Sequence, residues 1–185
     1  DLGGKYLEVS RIPSIKDLDD LTSSLSMIIS LLSKEASQEV VIDGLVPLLS
    51  KHTKSVPDLE HKLTDAFANI SIASKYNKTT THVSFVLQLS PDTKIINTIL
   101  SAYKNYVTIT PIPKIGLIID HEKGKLTEVS KTLAEIIILG GKIIFSKGSV
   151  SSIGISNDIT KTTGTLGIKL QSISINLPRI AFESN

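Results

Sequence analysis

The 185-residue chain contains no cysteine, no tryptophan and a single methionine, and aromatic residues make up only 4% of it. Without cysteine the chain can form no disulfide, no thiolate nucleophile, no iron–sulfur ligation and no cysteine zinc site of its own. Charge of one sign is also missing: 20 basic residues against 18 acidic ones leave a formal net charge of +2, and no run of like charge occurs. So small and scattered an excess provides no electrostatic footprint for nucleic acid or a membrane surface. No apolar run approaches the ~18 residues that would span a bilayer, and no signal-peptide pattern opens the sequence. A cytoplasmic location is the expectation.

What is present is aliphatic. Hydrophobic residues are 41% of the chain and charged residues 21%, enough to bury a core and too apolar for disorder. The excess of Ile, Leu and Val over aromatics suits strands buried on both faces with helices packed over them. A length of 185 residues predicts one domain, or a piece of a larger one.

Periodicity supplies the elements. Pro13-Ser14 with Asp17 reads as a capping box, followed by apolar residues at helical spacing to about residue 37. Residues 39–43 are a short extended run that stops at Gly44, with a brief helical turn over 45–51. Ser55-Val56-Pro57-Asp58 starts a second helix, lined by Leu59, Leu63, Phe67 and Ile70. Residues 81–89 alternate as a strand, with Val83, Phe85 and Leu87 on one side and His82, Ser84 and Gln88 on the other. Ser90-Pro91-Asp92 opens another helix, Ile115 to Ile119 form a strand, and a helix over 126–139 is closed by Gly140-Gly141. Residues 142–146 read as a strand and 147–167 as a long Gly, Ser, Thr and Asn-rich loop. A last strand over 167–175 carries a phase slip that marks a bulge. Helix and strand therefore alternate throughout, which predicts an α/β fold with a largely parallel sheet.

Chemistry-bearing residues are sparse. None of His52, His61, His82 and His121 pairs with another at metal-binding spacing, so no metal site is expected. Asp120, just past a strand, stands where α/β proteins place ligand groups, or else caps the following helix. Amides and hydroxyls between Thr160 and Gly167 suit a phosphate or a ribose, although the glycines form no P-loop. Arg179 suits bidentate phosphate binding or a structural ion pair equally well. No Ser/His/Asp arrangement and no carboxylate pair stands out.

Several segments, in order, resemble the anaerobic (class III) ribonucleotide reductases, a glycyl-radical family. They are Val41-Ile42-Asp43-Gly44-Leu45 with Pro47-Leu48-Leu49, Asn69-Ile70-Ser71 leading to Thr79-Thr80-Thr81-His82-Val83, and Thr110-Pro111-Ile112-Pro113-Lys114-Ile115. The most specific is at the end: Thr162-Thr163-Gly164-Thr165-Leu166-Gly167, then Ser174-Ile175-Asn176-Leu177-Pro178-Arg179-Ile180-Ala181. The resemblance implies about half of a ten-stranded α/β barrel with a radical cysteine on an inner loop.

In this sequence that loop corresponds to residues 148–157 and offers Ser151, Ser152, Gly154 and Ser156 instead of cysteine. Serine cannot substitute, because its O–H bond is too strong for the radical to form. The family's second cysteine would precede residue 1 or is absent, and its glycyl-radical segment, zinc site and N-terminal cone have no counterpart in this sequence. The resemblance thus implies a degenerate, catalytically inactive homologue, or an excised piece of one. The absence of Met at position 1 fits a fragment or processed product. Such a homologue would keep a nucleotide or phosphate pocket built from Thr163, Thr165, Asn176 and Arg179, with no cofactor. The competing expectation is a scaffold protein whose barrel is packed shut and exposes a flat apolar patch for a protein partner; in either case the uncovered strand edges of half a barrel suit self-association or pairing with another chain. An active reductase completed by another chain's cysteines is the least favoured reading.

Overall fold

A computed structural model describes residues 5–9, 19–24, 27, 39–52, 56–76, 82–90, 93–110, 112–122 and 124–147. Strand β1 (Lys5–Glu8) comes first, then β2 (Glu39–Asp43), helices α1 (Leu45–His52) and α2 (Val56–Tyr76), and β3 (His82–Gln88). Helix α3 (Thr93–Ile109), β4 (Ile115–Asp120), α4 (Ser130–Ile138) and β5 (Lys142–Ser146) complete the order. Residues 19–24 are helical; the rest of the long helix expected before residue 37, the loop over 147–167 and the strand over 167–175 fall largely or wholly outside the described residues.

The five strands form one sheet in the order β1-β2-β3-β4-β5, every neighbouring pair parallel. The expected α/β architecture with a parallel sheet is thus observed. Each crossover steps one strand in the same direction, and right-handed crossovers then put the described helices on one face. The core agrees. Val40 and Ile42, Val83, Phe85 and Leu87, and Ile115, Leu117 and Ile119 bury one sheet face together with residues of α1, α2, α3 and α4. The opposite face has a separate, smaller cluster of Val41, Val86 and Ile118, with Ile144 against it, and none of the described helical residues belongs to it. Burial on both faces explains the continuous apolar runs, and it extends to β3's second side, where Ser84 and Val86 are both buried.

Aromatic packing fixes how the helices lie on the sheet. Phe67 of α2 meets Phe85 of β3 edge-to-face at 5.4 Å and Tyr103 and Tyr106 of α3 at 5.9 and 6.0 Å. Geometries of this kind add roughly 0.5–1.5 kcal/mol each beyond area burial. Both tyrosine hydroxyls reach the amino ends of strands. Tyr103 donates to the Ile115 carbonyl at 2.8 Å and accepts from the Lys142 amide at 3.2 Å, while Tyr106 accepts from the Lys114 amide at 3.1 Å. One helix thereby ties β4 to β5. Thr64 of α2 donates to the Ala102 carbonyl of α3, and Lys104 of α3 pairs with Glu135 of α4 at 2.6 Å.

Two local details differ from the periodicity. Strand β1 has only Leu7 as a core-facing aliphatic within Lys5-Tyr6-Leu7-Glu8 and gave no alternation to detect. The helix expected over 126–139 is split into a 3-10 turn, Leu126–Glu128, and α4. Neither piece has a side-chain cap at its start, and a tight 3-10 turn is how an uncapped helix entry satisfies its first amides. The end of α4 is as expected. Gly140 adopts φ 89°, its amide donates to Ile137 and that of Gly141 to Ile136, the paired bonds of a Schellman motif.

Candidate functional site

Side chains alternate along each strand, so the face opposite the described helices can be read row by row from the register. At the amino side Ser84, Gly116 and Lys142 are neighbours across β3, β4 and β5. Gly116 leaves room there: a Cβ would come within 3.0 Å of the Lys142 side chain and 3.1 Å of Ser84 Oγ. The middle row is apolar, Val86, Ile118 and Ile144, with Val41 in the same cluster. At the carboxyl edge the row is Gln88, Asp120 and Ser146. On the two remaining strands Glu8 stands opposite Asp43 on the same face.

Across β3, β4 and β5 the polar groups of this face therefore collect at its two ends, separated by Val86, Ile118 and Ile144, whereas Asp43 and Glu8 fall level with Val86. The carboxyl edge is where parallel α/β sheets bind ligands, because the strands end there and the following loops open over them.

Backbone pairing fixes that edge. The Leu89 amide donates to the Asp120 carbonyl at 2.8 Å, and the His121 amide to the Ser146 carbonyl at 3.0 Å, extending the ladder past the strand ends. Asp120 is the last residue of β4 and is 7% exposed. Its Oδ1 accepts from the Glu122 amide at 3.1 Å, so the carboxylate closes an Asx turn. It caps no helix: neither the 3-10 turn nor α4 has a side-chain cap. Asp43 Oδ1 accepts from the Gly44 amide at 2.6 Å. Ser146 is buried and Gln88 exposed.

Chemically the last row offers one carboxylate, an amide and a hydroxyl, with the Glu8 and Asp43 carboxylates one row back at the ends of β1 and β2. Carboxylates accept from hydroxyl and amino groups and repel phosphate. Among the described residues no three His, Asp or Glu side chains are grouped to hold a metal ion, and no helix is long and apolar enough to cross a membrane.

No protein-family model matches the chain, and no curated protein or solved structure matches it. The residues nominated from the sequence divide accordingly. Asp120 lies at the carboxyl edge, but Thr163, Thr165, Asn176, Arg179 and the loop residues Ser151, Ser152, Gly154 and Ser156 all fall outside the described residues. His61 is on the solvent side of α2, 3.6 Å from Asp65 with its side chain 79% exposed, as expected for a histidine without a site. Gln88 and Ser146 were missed. Only the cross-strand register makes them Asp120's neighbours, and no local motif announces that.

Proposed function

We propose that this chain is a catalytically inactive relative of the anaerobic ribonucleoside-triphosphate reductases that binds a ribonucleotide at the carboxyl edge of its sheet. The observation that supports this reading is the strand order: five parallel strands in sequence with the described helices on one face, an arrangement that half of a reductase barrel would also have. Colinear sequence resemblance is the second support, and the absence of cysteine removes the chemistry. A thiyl radical must form next to the ribose, and no side chain of this chain can supply one.

Charge sets the ligand's orientation. With Asp120 in the last row and Glu8 and Asp43 one row back at the ends of β1 and β2, the ribose hydroxyls or the base amino group belong there. The phosphates are then assigned to Thr163, Thr165, Asn176 and Arg179, the groups nominated from the sequence, which lie outside the described residues. Isothermal titration with ribonucleoside diphosphates and triphosphates tests this. Binding heat without deoxynucleotide product is the expected result, and no heat at millimolar ligand overturns it.

One observation favours a second reading. Val41, Val86 and Ile118, on the face that would line a cavity, are only 1–3% exposed, as in a filled scaffold that binds a protein. Under that reading the titration is silent.

A further inference from the structure

We draw no further inference here: the strongest candidate, the exposed apolar residues Ile109, Ile112, Ile138 and Leu139 at the amino edge of the sheet where α3 and α4 end, carries nothing because nothing in the structure shows what covers them.

Discussion

The Tyr103 hydroxyl donates to the Ile115 carbonyl at 2.8 Å, linking the middle of α3 to the first residue of β4. The same oxygen accepts from the Lys142 amide, so one buried phenol joins a helix to two strands.

Removing that oxygen has a defined cost. Tyr103→Phe keeps the ring contacts with Phe67 but strips a partner from the buried Ile115 carbonyl and from the Lys142 amide. The expected loss is about 1–3 kcal/mol, read as a lower urea midpoint with an unchanged m-value. An unaltered midpoint would show that the hydroxyl ties nothing.

The same burial gives a pH dependence. Desolvation pushes the Tyr103 hydroxyl well above the ordinary tyrosine range; the Lys142 amide opposes this and nearby Tyr106 adds to it. The folded state thus favours the protonated phenol. Its contribution to stability is fully present below the unfolded pKa of about 10 and is lost as pH rises beyond it. Alkaline titration followed by phenolate absorbance should show Tyr103 ionising only with unfolding. Ionisation of all four tyrosines near pH 10 in the folded protein would contradict this.

Ser71 on α2 is 2% exposed, and its Oγ has no hydrogen-bond partner. A buried hydroxyl without a partner costs stability, and alanine is also the better helix former. Ser71→Ala should therefore stabilise the protein, by about 1 kcal/mol. Thermal unfolding checks the sign: a lower Tm would mean that the hydroxyl is satisfied.

Gly124 follows β4 and packs against the end of β3. A Cβ there would stand 2.4 Å from Leu89 Cβ and 2.8 Å from the Leu89 carbonyl carbon. Because backbone is among the clashing atoms, Gly124→Ala should cost about 1–3 kcal/mol in chemical denaturation. Gly140 is the contrasting case, since nothing lies within 4 Å but φ is 89°. Gly140→Ala should cost about 1–2 kcal/mol through backbone conformation alone. A neutral Gly124→Ala would mean that the loop does not approach Leu89.

Much of this fold is legible in the sequence because its signals are local. The continuous apolar run of β4, the alternation in β3 and the Gly140-Gly141 stop each follow from residues within a few positions of one another. What escaped is long-range. Tyr103 and Tyr106 read as ordinary core positions of a helix, and only packing brings their hydroxyls to Ile115 and Lys114. Strand β1 is too short and too polar to announce itself, and it becomes a strand by pairing with β2. The candidate edge was legible at Asp120 alone, since Gln88 and Ser146 become its neighbours through register.

The most direct test of the proposed role is amide chemical-shift mapping of the intact protein titrated with a ribonucleoside diphosphate. The account predicts saturable shifts centred on Gln88, Asp120, His121 and Ser146, weakened at least tenfold by Asp120→Asn. Absence of shifts, or shifts confined to the amino edge around Ile112 and Leu139, would contradict it.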